Sequence, residues 1–254
     1  MDWTLLLLGV AGFVAGFVDA AVGGGGLIQL PALVIAFPHA APLQLLATNK
    51  LASFMGTSMS SVTYLRRVKP DVHTLVPLMV LAFAGSLAGA GAASLLNREQ
   101  FEPIILALLV LVGAWVLFKP KLGEGTTLKH PKHRHLVLAG LTGLVIGFYD
   151  GALGPGTGSF FTFALVGLLG YSFLDASAKS RLANWGTNLA ALVIFIPQNA
   201  VMWNVGLVVG LANLAGAYVG ARVAVAKGSG FVRVLFLVIV AAFVIKIGSD
   251  LVFG

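Results

Sequence analysis

The chain has 254 residues, of which 58% are hydrophobic and 10% are charged, and its mean hydropathy is +0.97. Soluble domains average about 25% charged residues, so this chain cannot cover itself with polar surface and needs lipid as solvent. The absence of cysteine excludes disulfides and thiolate metal sites. The net charge of +7 resides mainly in short runs between apolar segments, which indicates cytoplasmic loops and argues against nucleic-acid binding.

The first apolar segment has no basic residue before it, which favours a retained helix over a cleaved signal peptide. Two later segments, 27–37 and 158–170, are too short for an upright bilayer crossing of about 20 residues. Each follows a glycine cluster, at 23–26 and 154–158. Such clusters break helices, and the freed backbone groups must be buried in protein or line a wet cavity. The predicted segments are 3–22, 27–37, 42–65, 72–95, 101–118, 135–153, 158–170, 174–196, 202–223 and 230–248.

The second half of the sequence repeats the first without a gap. Asp150 lies 131 residues after Asp19, and the same offset holds from residue 12 to residue 89. Single glycine matches arise easily by chance in a chain with 32 glycines, but a constant register over this length indicates an internal duplication. The matched pairs include Gly12/Gly143, Gly16/Gly147, Phe17/Phe148, Gly23/Gly154, Gly25/Gly156, Leu51/Leu182, Ala52/Ala183, Gly85/Gly216 and Gly89/Gly220.

Positive charge falls on different loops in the two halves. In the first half it follows the third segment, whereas the matching loop of the second half, 197–202, is uncharged and the cations come one loop later. Because cytoplasmic loops collect Lys and Arg, equivalent loops lie on opposite sides, which predicts an inverted repeat. The cations are Arg66, Arg67 and Lys69, then Arg222, Lys227 and Arg233, with Lys119, Lys121, Lys129, Lys132 and Arg134 in the linker.

The predicted fold is an all-α integral membrane protein of two inverted-topology repeats. Each repeat combines a broken or re-entrant helix pair with three transmembrane helices. Repeat 1 spans 1–118, a basic cytoplasmic linker 119–134, and repeat 2 spans 135–254, together forming one transmembrane domain with both termini outside. The spacing of Gly85 with Gly89, and of Gly216 with Gly220, predicts small-residue faces for close helix packing.

A polar stripe marks the third segment of each half. Lys50, Ser53 and Thr57 are spaced i, i+3 and i+7, so they share one helix face. Their repeat counterparts are Arg181, Asn184 and Asn188. Cations inside a membrane are site candidates by default, although a long lysine can also snorkel to the interface. The recurrence of the whole stripe favours a site to which each half contributes one cation.

The glycine clusters supply a second candidate component. A short helix that begins after a break presents unpaired N–H groups and a partial positive charge at its N-terminus. Two such ends near the midplane would suit an anionic substrate, although a glycine cluster can also serve only as a tight bend. The candidate substrate-binding residues are Lys50, Arg181, Asn49, Ser53, Thr57, Asn184, Asn188, Gly24, Gly25, Gly26, Gly156, Thr157, Gly158 and Ser159.

Asp19 and Asp150 lie four residues before the first glycine of each cluster. They are interpreted either as counter-ions for Lys50 and Arg181 or as proton acceptors that couple transport to a proton gradient. Gln29 and Lys179 are weaker site candidates, and Trp185 is interpreted as a packing residue. No catalytic triad, carboxylate pair or metal-ligand spacing is found in the membrane segments, so no metal or other cofactor is predicted. The linker histidines, His130, His133 and His135, are interpreted as solvated loop residues.

These motifs resemble those of the TauE/SafE sulfite-exporter family, also called toluene sulfonate uptake permeases. The resemblance rests on AGFVAGFVDAAVGGGG at 11–26 with ATNKL at 47–51, and on GFYDG at 147–151, GPGTGS at 154–159 and RLANWGTN at 181–188, which are similar to the YfcA-like branch. It covers essentially the whole chain and implies a duplicated helical transporter of sulfur oxyanions or organosulfonates in the bacterial inner membrane. Arg181 stands where that branch leads us to expect lysine, and its rigid fork favours bidentate oxyanion contacts.

The leading functional hypothesis is a secondary transporter of a small sulfur oxyanion or sulfonate. In this hypothesis the two halves alternate access to a shared site, and protons are a candidate coupling ion. An anion channel is the alternative within transport. An intramembrane lipid-modifying enzyme is the alternative from another class, and the missing nucleophile–base pair argues against it. No ATP-binding motif is found in the sequence.

Overall fold

The computed structural model describes residues 3–93 and 125–253, and the regular elements in those ranges are all helical. The predicted segment 101–118 and the first part of the linker, 119–124, lie outside these ranges. α6 continues into a π-helical turn, Leu165–Leu169, and the last helix is kinked at Gly228. The helices are α1 Trp3–Val22, α2 Gly26–Ala36, α3 Pro42–Arg67, α4 Val72–Ala93, α5 Lys132–Ala152, α6 Thr157–Ala164, α7 Phe173–Phe195 and α8 Trp203–Phe253.

Four of these helices are long and apolar enough to cross a membrane: α1, α4, α5 and the Trp203–Gly228 part of α8. α3 and α7 have 26 and 23 residues but are more polar, because they bury Lys50 and Arg181. The predicted class, an all-helical membrane protein, is confirmed. The helix bounds also follow the predicted apolar segments closely wherever the structure describes them.

Both predicted helix breaks are present, and each begins with a glycine of positive φ. α1 ends before Gly23, whose φ is +94°, and α5 ends before Gly154, whose φ is +92°. Residues that carry a side chain rarely adopt this left-handed backbone conformation, so glycine is the residue that lets the chain reverse there. The short helices α2 and α6 begin within a few residues of these breaks.

Glycines bring the long helices into backbone contact, as the sequence predicts. A Cβ on Gly12 would lie 2.8 Å from the carbonyl oxygen of Val209, so α1 and α8 pack almost backbone to backbone. Close approach replaces the hydrophobic effect as the driving force for helix association in lipid. The other contacts of this kind are Gly16–Asn213, Gly216–Phe13 and Gly220–Phe17 between α1 and α8, and Gly143–Leu78, Gly147–Ala82, Gly151–Ser86, Gly85–Leu144 and Gly89–Phe148 between α4 and α5.

The halves exchange their fourth helices. α1 and α3 pack against α8 from the other half, and α2 packs on α1 and α3. Likewise, α5 and α7 pack against α4, and α6 packs on α5 and α7. We call these sets the first bundle (α1, α2, α3, α8) and the second bundle (α4, α5, α6, α7). The offset of 131 residues carries each helix of one bundle onto a helix of the other, so the packing repeats the duplication in the sequence. The two bundles meet mainly along α3 and α7.

Two interpretations of the linker region need correction. α5 begins at Lys132, so the last three residues of the predicted linker are helical, consistent with Pro131, which is favoured at a helix start. The interpretation of His135 as a solvated loop residue was wrong. Its side chain is buried and lies within hydrogen-bond distance of Thr74 and Tyr171, because it points from α5 toward α4, whereas residues 132–134 of the same turn are exposed.

Candidate functional site

The two helix breaks pack against each other in the interior. The Ser159 amide donates to the carbonyl oxygen of Gly23 (3.0 Å), and the Ser159 hydroxyl donates to that of Val22 (3.2 Å). A Cβ on Gly26 would lie 3.2 Å from Cα of Pro155. Each break therefore satisfies part of the other's freed backbone. This explains how non-helical chain is tolerated in the membrane.

Lys50 of α3 forms a buried ion pair with Asp150 of α5. Its Nζ lies 2.7 Å from Oδ1, and both side chains are at most 2% exposed. The lysine belongs to the first bundle and the aspartate to the second. Nζ also lies against the second break, since a Cβ on Gly154 would be 2.8 Å from it. Lys50 is thus held deep in the protein, and snorkelling to the interface does not describe it.

Arg181 of α7 pairs with Asp19 of α1 in the same manner. Its NH1 group lies 3.8 Å from Oδ2 and also donates to the backbone oxygen of Asp19. Nε donates to the carbonyl oxygen of Ser177, and NH2 contacts the Thr162 hydroxyl (3.5 Å). The other carboxylate oxygen of Asp19 accepts from the Gly25 amide at the start of α2 (3.2 Å). Asp19 therefore occupies the position of an anion between a helix N-terminus and a cation.

The two ion pairs are related by the duplication and cross between the bundles. Lys50 corresponds to Arg181 and Asp19 to Asp150, yet each cation pairs with the aspartate of the opposite half. Removing charges from water costs several kcal/mol per ion, and here the geometry compensates that cost only while the two bundles are in contact. The crossed pairs thus join the bundles at the centre of the molecule.

A small cavity lies beside these pairs. Its volume is about 10 Å³, which suits about one water molecule. Most predicted site residues converge on it, and the sequence analysis missed only Gly23 and Gly154 among its lining. The lining comprises Asp19, Gly23, Gly26, Asn49, Lys50, Ser53, Asp150, Gly154, Gly156, Thr157, Gly158, Asn184 and Asn188.

Five predicted site residues do not line this cavity: Arg181, Thr57, Gly24, Gly25 and Ser159. The Arg181 guanidinium is engaged by Asp19, by Thr162 and by Ser177 of its own helix, so it lies behind the lining of the cavity. The Thr57 hydroxyl donates back to the carbonyl oxygen of Ser53 (2.7 Å), a local bond that is common for threonine in helices. The sequence spacing predicted that Arg181 and Thr57 share a helix face with the other site residues. It could not predict that other groups of the protein would occupy their hydrogen-bonding atoms.

Comparisons with known proteins agree with this architecture. The profile of the family described as sulfite exporter TauE/SafE matches residues 8–247. The chain belongs to the TauE/SafE family. It is 37% identical over 246 residues to a probable membrane transporter protein, ORF9, of Sinorhizobium sp, covering 97% of this chain and 93% of that protein.

Two further relatives of this TauE/SafE protein carry the same description. The probable membrane transporter YfcA of Escherichia coli K12 is 34% identical over 248 residues, covering 96% of this chain and 91% of that protein. A probable membrane transporter protein of Haemophilus influenzae is 33% identical over 234 residues, covering 92% and 90%. The resemblance recognised in the sequence is confirmed. The chain is a membrane transporter of this family, and its relatives are described as transporters rather than enzymes.

The TauE/SafE protein also carries an amide chain that supports the site. Asn213 of α8 donates to Gln29 Oε1 (2.6 Å), and Gln29 donates to Asn49 Oδ1 (2.9 Å) and to the backbone oxygen of Asn49 (3.1 Å). Asn49 lines the cavity beside Lys50. Asn213 was missed because its repeat counterpart is Ala82, so the duplication does not single it out. The sequence feature that could have identified Asn213 is an amide side chain in an otherwise apolar membrane segment.

A second polar cluster lies away from the site, at the end of the second bundle where α5 begins. The Tyr171 hydroxyl lies 2.8 Å from that of Thr74, and it donates to Asp71 (3.1 Å). Partial burial acts to raise the pKa of Asp71, but hydrogen bonds from Thr74 and Tyr171 outweigh it and lower the pKa. Lys179, a weaker site candidate, lies over the Tyr171 ring at 4.0 Å and does not line the cavity.

Proposed function

We propose that this TauE/SafE transporter carries a small sulfur oxyanion or organosulfonate by alternating access around the central cavity. The observation that carries the proposal is the pair of buried cation–carboxylate bridges, Lys50–Asp150 and Arg181–Asp19, which cross between two equivalent bundles. Charges buried at a bundle interface are costly and mark substrate or ion pathways in membrane proteins.

The chemistry of the cavity suits an oxyanion. Lys50 supplies the positive charge, and amides and hydroxyls of Asn184, Asn188, Ser53 and Thr157 supply hydrogen-bond donors. In this conformation the carboxylates take the place of the substrate, and the cavity has room for about one water molecule. Binding of a sulfonate requires the bundles to separate and the cation to exchange a carboxylate for the substrate.

Helix directions support an inverted repeat as the basis of this movement. Successive contacts place Thr48 near Met202, Leu51 near Gly206 and Met55 near Gly210, so α3 and α8 run parallel. The residue numbers of the α4 and α5 contacts also increase together, from Leu78–Gly143 to Ser86–Gly151, so α4 and α5 run parallel as well. With a four-residue connection between α3 and α4, the first bundle's long helices run opposite to those of the second, as inverted halves require.

The distribution of cations supports the orientation in a bacterial inner membrane. The ends of α3 and of the Trp203–Gly228 segment, together with the start of α5, carry the basic residues, whereas the loop 196–202 is uncharged. Because basic loops stay in the cytoplasm, the linker is proposed to lie inside and both termini outside.

Protons are the proposed coupling ion. Among the described residues, Asp150 Oδ2 is a buried carboxylate oxygen without a hydrogen-bond partner, and Asp150 lines the cavity. Protonation of this carboxylate would release Lys50 for the anion, and loss of the proton would re-form the ion pair. Proton and anion would thereby compete for one lysine.

The test uses purified protein in liposomes, with uptake of sulfite, sulfate, thiosulfate and small sulfonates measured against an imposed pH gradient. Lys50→Ala and Arg181→Ala are expected to abolish flux, whereas Lys179→Ala, which removes another buried lysine away from the cavity, should retain it. Wild-type flux in both site variants would refute the assignment. Saturable uptake with trans-stimulation distinguishes a carrier from the alternative, an anion channel.

A further inference from the structure

A separate basic cavity lies at the end of the first bundle, between the last turns of α3 and the middle of α8. Its volume is about 400 Å³, which is in the range of ligand pockets. Three arginines line it, Arg66 and Arg67 from α3 and Arg222 from α8, with Met59, Val62, Thr63, Tyr218, Val225 and Ala226 forming the rest.

The cavity faces away from the transport site. At about 100° per residue, Arg66 and Val62 point more than about 120° from the centre of the α3 face that carries Lys50, Ser53 and Thr57. Arg222 likewise lies about 180° around α8 from Asn213, which belongs to the amide chain at the site. Val62 is 45% exposed and Tyr218 39%. The cavity therefore opens toward lipid, and it does not feed the central site.

The arginines are not explained by pairing or by the repeated scaffold. Within the residues that the structure describes, no carboxylate lies within ion-pair distance of any of the three. Arg222 stacks on the Tyr218 ring at 4.2 Å, which holds its guanidinium at the cavity. Their counterparts in the second bundle are the uncharged Pro197, Gln198 and Gly91. The duplicated fold forms without these charges, so they serve something found at one end only.

We propose that this cavity binds the headgroup of an anionic phospholipid of the leaflet at the basic end of the protein. The three guanidinium groups bind the phosphate by charge-assisted hydrogen bonds, and the acyl chains run along the exposed apolar face beside Val62. Basic pockets between membrane helices suit such headgroups. The three arginines suit the phosphate and the apolar lining residues suit the acyl chains, so the whole cavity matches a lipid. A free anion would contact only the arginines.

The experiment titrates the full-length protein in detergent with phosphatidylglycerol or phosphatidylcholine and counts bound lipid by native mass spectrometry. Wild-type protein should bind phosphatidylglycerol at least about tenfold more tightly, since each cation near a lipid surface contributes about 1 kcal/mol. The triple variant Arg66→Gln/Arg67→Gln/Arg222→Gln should lose this preference. The charge-matched triple Lys69→Gln/Lys132→Gln/Arg134→Gln, at the same end but outside the cavity, should keep it.

A second variant, Val62→Trp, fills the apolar part of the cavity and leaves all three arginines. This variant should also lose the preference for phosphatidylglycerol over phosphatidylcholine. It provides the test if the triple variant does not fold. Equal loss in both charge triples, retention in Val62→Trp, or no wild-type preference would overturn the proposal. So would inorganic phosphate that displaces phosphatidylglycerol at equal concentration, because that result would assign the cavity to a free anion.

Discussion

The buried pair formed by Lys50 and Asp150 joins the two bundles, but removing both charges from water carries a large desolvation cost. Buried ion pairs are often no more stabilising than apolar residues of the same size, yet losing one partner costs roughly 3–5 kcal/mol because a bare charge remains. With Nζ and Oδ1 2.7 Å apart and both side chains buried, this asymmetry applies directly. The cost of losing one partner, compared with that of losing both, therefore distinguishes a structural role of the pair from a role in binding substrate.

Lys50→Met is therefore expected to lower the free energy of unfolding by roughly 3–5 kcal/mol. The double variant Lys50→Met/Asp150→Asn removes both charges and should recover most of that loss without recovering transport. Thermal unfolding in detergent and uptake into liposomes measure the two quantities on the same preparations. Wild-type uptake by the double variant would mean that the pair is only structural.

Gly154→Ala should impair both folding and transport. The residue has a φ of +92°, and a Cβ there would lie 2.8 Å from Lys50 Nζ. Strain in this region costs about 1–2 kcal/mol for a residue with a side chain, and the ammonium must also shift. Gly91→Ala in α4 is the control, because among the described residues nothing outside its own helix backbone lies within 4 Å of an added Cβ and alanine favours a helix. Equal uptake and stability in the two variants would contradict this account of the break.

At the scale of the helices, much of the architecture could be predicted from the sequence. Apolar length located the helices, and glycine clusters located both breaks. The polar stripe predicted that Lys50 faces the interior. The offset of 131 residues could pair Lys50 with Arg181 as counterparts, but it could not say which aspartate approaches which cation, since that depends on tertiary packing.

The exchange of α4 and α8 between the halves was likewise beyond the sequence. Helices that cross at glycines carry the same small-residue signal whether their partner comes from the same half or the other. His135 shows the same limit, because its position beside the basic linker favoured a solvated loop. Only the proximity of α4 and Tyr171 explains why it is buried.

The cluster at the start of α5 leads to a pH-dependence. Because the folded pKa of Asp71 is depressed, its contribution is present above the unfolded value of about 3.9 and is lost as the pH falls through the folded value. Asp71→Asn should therefore reduce the acid-induced loss of stability between about pH 5 and pH 3. Near neutral pH, the variant and the wild-type protein should show the same dependence of stability on pH. The effect should be modest, since the carboxylate is partly exposed. Unfolding temperatures across this range measure it, and parallel curves for both proteins would contradict it.

The whole molecule is organised as two bundles rather than two sequence halves. α1 with α8, and α4 with α5, are packed backbone to backbone, so neither pair separates easily. The amide chain through Asn213 lies inside the first bundle, and the cluster around Tyr171 lies inside the second. The interface between the bundles holds the crossed ion pairs and the cavity, and it is where the proposed alternating access requires movement.

Cross-linking across this interface should therefore stop transport, whereas cross-linking inside one bundle should not. Phe54 of α3 and Trp185 of α7 stack across the interface with ring centroids 5.8 Å apart, and the chain has no cysteine to react in the background. The variant Phe54→Cys/Trp185→Cys, treated with a short bis-methanethiosulfonate that links the two thiols through disulfides, should lose uptake and regain it when those disulfides are reduced. The control Thr74→Cys/Tyr171→Cys joins residues whose hydroxyls lie 2.8 Å apart within the second bundle. Uptake that survives complete cross-linking between Phe54→Cys and Trp185→Cys would show that the bundles do not move apart along α3 and α7.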